Sequence, residues 1–331
     1  MNKRIVFFSR KPIPGFHYSI ENTINQVRNG LLKSGKWEID WIEMPLYSKG
    51  FLPRIKLIFF AWVHKHEINH VVGDIYFISF LLPGKTLIVT IHDILFLYPK
   101  KGIVWLILWF FWIYLPVLKA TSIIAISNHT KNEIIRVTGC NPLKIKVIPC
   151  LISPNFKYAP KEFNENCPVI LHIGTAWNKN LSNHIKALKG ITCLLKIIGQ
   201  LTEIQRLELI HSEVAFQNVV QLTEEEILAS YHSCDILLFA SLYEGFGLPI
   251  LEAQSVGRLV ITSNRGAMAE VAGKGALLVD PDSVKAIHNG VISAIHNLPL
   301  RTSLLSEGII NKDKYNMQTI MQQHESVYST F

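Results

Sequence analysis

Ile236-Leu237-Leu238-Phe239-Ala240-Ser241-Leu242-Tyr243-Glu244-Gly245-Phe246-Gly247-Leu248-Pro249-Ile250-Leu251-Glu252-Ala253 is the stretch that decides the fold of this chain. Four apolar residues, 236–239, predict a buried strand, and the glycines that follow predict a tight loop at its carboxyl end. Pro249 has no N–H to leave unsatisfied, so it fits the first position of a helix whose free amides and positive end face the loop. Strand, glycine loop and helix N-terminus together make a site for a phosphate. Two carboxylates frame the loop, Glu244 within it and Glu252 in the opening turns of the helix. An acid near a helix N-terminus also serves as a simple dipole partner. Beside a glycine loop, though, two carboxylates are well suited to accept hydrogen bonds from sugar and ribose hydroxyls.

Outward from this stretch, short β-branched or aromatic runs alternate with helical patterns. In the first half the strands are expected at 5–8, 37–42, 87–91, 122–126 and 145–148. In the second they fall at 169–173, 194–198, 219–221, 236–239, 259–262 and 276–279. The alternation predicts an α/β protein with two parallel, doubly wound sheets. Residues 150–167, rich in proline, asparagine and charge, interrupt it and read as a linker, and 317–328 read as a terminal helix. At 331 residues the chain is long enough for two domains.

Nearly half the residues are hydrophobic (49%) and 18% are charged, which excludes a disordered chain. The net charge of +8 suits a polyanionic partner: nucleic acid, anionic lipid or a pyrophosphate. The basic residues form no block of five or more, and no nucleic-acid-binding motif is present, so nucleic acid is not expected as a partner. Five cysteines, an odd set without a C-x-x-C pair, point to reduced thiols in a cytoplasmic setting. The apolar run at 5–8 is too short for a signal peptide and reads as the first strand.

Residues 102–118 (GIVWLILWFFWIYLPVL) carry no charge and are flanked by Lys100, Lys101 and Lys119. Their length is at the lower limit for crossing a bilayer, and Pro116 lies near their end. Three readings stand: a monotopic helix dipped into the membrane surface, which is favoured; a core helix; and a spanning one.

Beyond the first motif, Gly174-Thr175-Ala176-Trp177-Asn178-Lys179-Asn180-Leu181 follows a predicted strand, and so does Thr90-Ile91-His92-Asp93. Both lie at carboxyl ends, where ligands gather in open α/β sheets. A lone histidine there is equally well a satisfied structural residue. Ser127-Asn128-His129-Thr130 reads as a helix N-cap.

Taken together these residues resemble the retaining glycosyltransferases of the GT-B architecture, family 4, whose mark is an E-x7-E motif. Glu244 and Glu252, with Gly-Phe-Gly-Leu-Pro-Ile-Leu between them, match it in full, and most of 85–282 is covered. The resemblance implies two Rossmann-like domains facing each other across a cleft: 1–155 binding the acceptor, 156–312 binding the nucleotide-sugar donor, and 313–331 a helix packing back on the first.

It also implies roles. His92 and Glu244 would be catalytic, contacting the donor sugar, and Glu252 would hold the ribose hydroxyls. Gly15, Gly174, Thr175, Lys179, Phe246, Gly247 and Leu248 would bind the rest of the donor, with Lys179 balancing the pyrophosphate. The implied reaction moves a sugar from a UDP- or GDP-linked donor to a glycan or lipid-linked acceptor at the inner face of the cytoplasmic membrane. No D-x-D metal clamp occurs in the sequence, so no metal or other cofactor is expected. Relatives place an arginine where this chain has Thr175 or Asn178, which leaves Arg265 or another cation to serve. Pro14-Gly15-Phe16 offers one glycine where a pair is usual. These departures leave open a nucleotide-sugar-binding subunit without turnover, and a sugar-nucleotide epimerase is the nearest rival enzyme.

Overall fold

The computed structural model describes residues 3–12 and 18–331, with side chains throughout except at 18–22. The chain divides into two units, one of Met1–Leu151 with Met317–Phe331 and the other of Ile152–Asn316. The boundary falls within the linker read at 150–167, four residues before the one the resemblance implies. The segment 313–316 stays with the second unit.

Unit 1 holds β1 (Lys3–Ser9), β2 (Trp37–Glu43), β3 (Ile68–Val71), β4 (Leu87–Ile91), β5 (Ser122–Ala125) and β6 (Ile145–Val147) in the order β2-β1-β3-β4-β5-β6. Every pairing is parallel. Five of the six were expected to within a residue or two. The sixth, β3, was missed because its Ile-Asn-His-Val sequence does not look apolar. All four of its residues are nonetheless buried. Burial of the polar pair is tolerable because each is hydrogen-bonded. Asn69 Nδ2 donates to His66 O at 2.9 Å and to Thr86 Oγ1 at 3.2 Å, while His70 lies 2.8 Å from Tyr328 Oη and 2.7 Å from Thr90 Oγ1.

Unit 2 holds β7 (Val169–Ile173), β8 (Leu194–Ile198), β9 (Phe216–Val219), β10 (Ile236–Phe239), β11 (Leu259–Ser263) and β12 (Leu277–Val279) in the order β12-β11-β10-β7-β8-β9, again all parallel. The strand expected at 219–221 lies three residues upstream, since Phe216 is the residue in register with Leu195 and Gln221 turns at φ 55°.

Doubly wound sheets bind ligands where the winding reverses, outside the carboxyl ends of the two strands involved. In unit 2 the chain runs outward from β7 through β8 and β9, then returns to lay β10 on the other side of β7. The reversal point lies between β7 and β10, the two strands that lead into the Gly174 and Glu244 loops. In unit 1 it lies between β1 and β3.

The terminal helix Met317–Tyr328 belongs to unit 1, with Ile320, Val327 and Tyr328 buried and Tyr328 against Phe7 and Trp37. Gly30 faces Met321 so closely that a Cβ there would lie 2.7 Å from its sulfur. The helical segment Gly102–Lys119 has a mean hydropathy of 1.8, yet only 22% of it is buried, less than a helix enclosed in a core would show. Its second half is fixed to unit 1. Ile113, Pro116 and Val117 are buried, Trp109 Nε1 donates to Val137 O at 2.7 Å, and Trp112 Nε1 donates to Asp74 O at 3.1 Å. A helix anchored along half its length has too few free residues to cross a hydrocarbon core about 30 Å thick.

Candidate donor site

The site is assembled at the reversal point of unit 2. Gly174 follows β7 at φ 87°, a conformation that leaves room for the Lys179 stem to lie across it. A Cβ at this position would meet that stem at 3.0 Å. Lys179 ends a short 3-10 turn, Trp177–Lys179, and its Nζ lies 2.8 Å from Glu244 Oε1, in the loop after β10. The ammonium also sits 5.0 Å from the centre of the Phe239 ring. The loops after β7 and β10 are thus joined by an ion pair, with both side chains largely withdrawn from solvent. An ion pair in such a setting is costly to break from one side only, because the remaining charge stays behind without a partner.

Neutral ties hold the same two loops together. Asn178 Nδ2 donates to Tyr243 O at 2.9 Å, Asn178 O accepts from Leu242 N at 2.7 Å, and Asn180 Nδ2 donates to Ala240 O at 3.0 Å and Pro281 O at 2.7 Å. Behind them His172 and His184 form a buried pair, Nδ1 to Nδ1 2.9 Å, whose other nitrogens lie 2.7 Å from Gly174 O and 3.2 Å from Ala240 O. Burial pushes His172 down to about 4 and His184 well below the usual imidazole range. Thr175 Oγ1 donates to Gln200 O at 2.6 Å, so its hydroxyl is used within the loop. The roles of Asn178, Asn180 and the histidine pair as ties were not expected from sequence. Asn178, Asn180 and His184 reach backbone carbonyls of the loop after β10, distant in sequence, which no local pattern encodes.

Gly247 adopts φ 105° and caps the helix Leu248–Val256 with no side chain bonded to its first turn. The helix therefore starts at Leu248, one residue before the expected Pro249, which occupies the second position. The physical consequence is unchanged, because proline's missing N–H is harmless anywhere in the first turn. Phe246 is buried edge-on against Tyr315, so its ring serves packing and only its backbone can face a ligand. Glu252 takes no part in the Lys179 ion pair. Its carboxylate accepts from Tyr231 Oη at 2.6 Å, and burial pushes it up to about 7 against the opposing effect of that hydrogen bond, with Glu224 adding repulsion. Arg265 is engaged elsewhere, paired with Asp280 and, at 2.8 Å, with Asp282.

His92 lies in unit 1, just past β4. Its backbone N–H donates to Tyr76 Oη at 3.3 Å, and its carbonyl accepts from Thr130 Oγ1 at 3.3 Å. Ser127 Oγ accepts from Thr130 N at 3.0 Å as the N-cap of Asn128–Thr138, so that stretch is both a cap and a buttress for His92. The imidazole is buried and pushed down to about 4 by burial and by Arg10, leaving it neutral at pH 7. Its Nε2 has no partner among the described residues. It lines a cavity of ≈ 30 Å³ together with His70, Thr90, Cys150 and His324. Such a volume has room for about one or two waters. Gly15 lies outside the described residues.

Two doubly wound parallel sheets, one with a glycine-lined, lysine-bearing site at its reversal point, define the class of α/β proteins that bind nucleotide-linked ligands. The comparisons narrow this. Residues 15–156 match the family described as Glycosyltransferase Family 4, and residues 155–309 match Glycosyl transferases group 1. The chain belongs to this family of GT-B glycosyltransferases.

Among its relatives are O-antigen chain mannosyltransferase B of Escherichia coli, 25% identical over 63% of this chain and 60% of that protein, and O-antigen chain mannosyltransferase RfbU of Salmonella typhimurium, 27% identical over 73% and 69%. The match thus spans about three-fifths to two-thirds of these proteins. Sucrose-phosphate synthase from Thermosynechococcus elongatus superposes with a TM-score of 0.81 at 17% identity, covering 99% of this chain and 98% of that one. Anabaena HepE in complex with UDP and glucose superposes at 0.77 and 16%, covering 99% and 100%. These two likenesses speak for the fold.

Proposed function

We propose that the protein is a retaining hexosyltransferase that moves a sugar from a nucleotide-diphosphate donor to a glycan or lipid-linked acceptor in the synthesis of a cell-envelope polysaccharide. The observation that carries this is the Lys179–Glu244 ion pair set beside Gly174 at the reversal point of unit 2. In the free protein Glu244 neutralises Lys179. A donor diphosphate takes over the ammonium, which frees the Glu244 carboxylate for sugar hydroxyls. As the bond to the sugar breaks, charge grows on the departing diphosphate, and a fixed cation with free amides of a helix N-terminus lowers that barrier. Gly247 and Leu248 supply those amides, Glu252 accepts from the ribose, and neutral His92 serves the sugar from unit 1, the acceptor side. The mannosyltransferase relatives and the UDP-bound neighbour support the substrate class.

The reading includes a place of work: the inner face of the cytoplasmic membrane, touched through 102–118. Incubation with UDP- and GDP-linked hexoses and a panel of lipid-linked and free glycans tests the activity. The expected product keeps the donor's anomeric configuration, seen in its proton NMR coupling. Nucleotide binding, seen as a thermal shift, without transfer to any acceptor would reassign the chain to a binding subunit.

A further inference from the structure

The chain's excess positive charge falls in two segments that also carry a large share of its exposed apolar side chains. Residues 44–66 contain Lys49, Arg54, Lys56 and Lys65 and no acid, and residues 94–132 contain Lys100, Lys101, Lys119 and Lys131 and no acid. Those eight basic residues equal the whole net charge of +8, so the rest of the chain is balanced at 25 basic against 25 acidic residues. Scanning for consecutive basic residues misses this, because lysines alternate with apolar residues and the signal lies in the missing acids.

Each segment carries one helix with apolar residues on its outer side. The helix Phe51–Val63 buries Leu57 and Ala61 and turns Phe51 (75% exposed), Leu52 (69%), Phe59, Trp62 and Val63 outward. An ordinary surface helix would place polar residues there. The segment Gly102–Lys119 likewise exposes Ile103 (67%), Val104, Leu106, Ile107, Phe110 and Phe111. The two are neighbours, since both pack on the turn Tyr76–Phe80, and the Arg54 guanidinium lies 4.6 Å from the centre of the Trp112 ring. Lys65 folds over Trp62, 4.4 Å from its ring, while Lys49, Lys56, Lys100 and Lys101 are exposed.

From this coincidence we infer that the two helices form one membrane-docking face that selects anionic lipid, with Phe51–Val63 as essential as Gly102–Lys119. This deepens the membrane part of the function proposed above and rests on it. The aromatic and aliphatic side chains enter the headgroup and acyl boundary, and the lysines meet lipid phosphates. A protein partner or a second copy of the chain would need acidic residues to meet these lysines. Unit 1's own charge imbalance makes self-association through this face repulsive, whereas an anionic leaflet is complementary to every basic residue on it.

Flotation of the full chain with vesicles tests this, using phosphatidylcholine alone and phosphatidylcholine with about one-third phosphatidylglycerol. Binding to the anionic vesicles alone, lost on raising salt, is the expected result. Lys100→Gln with Lys101→Gln lowers the partition coefficient by roughly tenfold or more, and so does Phe51→Ser with Leu52→Ser, although the latter pair lies wholly outside the segment 102–118. All four side chains are exposed, so the variants keep the wild-type melting temperature and the nucleotide-induced thermal shift. Equal binding to both vesicle types, no binding to either, a salt-resistant dimer in place of vesicle binding, or full binding by the Phe51/Leu52 variant would each overturn the inference. The thermal shift reports the donor site independently, so failure to float with an intact shift refutes the docking face alone.

Discussion

The carboxyl ends of the two sheets are built by opposite means. In unit 2 the loops after β7 and β10 are stitched by an ion pair, two asparagines and a histidine pair, so the site is stiff before any ligand arrives. In unit 1 the corresponding end, past β4, holds a neutral histidine whose Nε2 has no partner among the described residues, on a small cavity that His324 of the terminal helix also lines. A preorganised cradle suits a charged diphosphate, whose binding is mainly electrostatic. An open, neutral polar group suits hydroxyls, which can adjust. The two halves of one fold need not be equally finished in the free state.

The largest test of that contrast is truncation before Met317. It removes Ile320, Met321, His324, Val327 and Tyr328 from unit 1, each at a cost of about 2–5 kcal/mol, together more than the stability of a typical domain. Unit 1 should lose its cooperative melting while unit 2, which has a hydrophobic core of its own, keeps one transition and its nucleotide-induced shift in calorimetry. Loss of both transitions at once would mean that the units are not independently built. Next in size is Lys179→Ala, which should lower the transfer rate about 10²- to 10³-fold and also lower the melting temperature of unit 2, since Glu244 loses its partner. Arg265→Ala should stay within a few-fold, because that guanidinium is already committed to Asp280 and Asp282. A larger effect at Arg265 than at Lys179 would move the cation of the site.

How far the sequence carried this contrast depends on how local each feature is. The strand, Gly247, Pro249 and both glutamates lie within one short stretch, and their geometry follows from backbone rules that need no distant partner. The sheets were legible for the same reason wherever a strand was an apolar run. What stayed hidden was made by pairs remote in sequence. β3 is a strand only because Thr86, Thr90 and Tyr328 satisfy its Asn69 and His70. Asn178, which looked like a missing arginine, is a tie to the Glu244 loop. The pairing of Lys179 with Glu244 was also invisible, since each was assigned to the ligand separately.

Gly174→Ala sharpens the stiffness side of the comparison with a smaller effect. The φ of 87° costs any L residue about 1–2 kcal/mol, and the new Cβ would press on the Lys179 stem. The melting temperature of unit 2 should fall by a few degrees, and nucleotide affinity by roughly tenfold because the ammonium is displaced. A fall in stability with unchanged affinity would show that Lys179 does not reach the bound diphosphate.

The smallest effect is the pH dependence that Glu252 contributes in unit 2. Burial raises its carboxyl to about 7 in the folded protein, above the ordinary carboxylate value, so the native state holds its proton over a range in which the unfolded chain has lost it. By linkage, the Glu252 contribution declines as pH rises through about 4.5 to 7, while the buried neutral histidines, among them His172 and His184, contribute the opposite slope below the ordinary imidazole value. Tyr231 opposes the trend, because its hydroxyl donates to the ionised carboxylate at 2.6 Å. Tyr231→Phe removes a bond that matters most when Glu252 is charged, so it should cost about 1 kcal/mol more at pH 8 than at pH 5. Glu252→Gln should remove the Glu252 share of the profile instead and render Tyr231→Phe indifferent to pH. Melting temperatures of the free protein at the two pH values, for both single variants and the double, measure this directly. An equal loss at pH 5 and pH 8 would show that Glu252 does not change its protonation state between them.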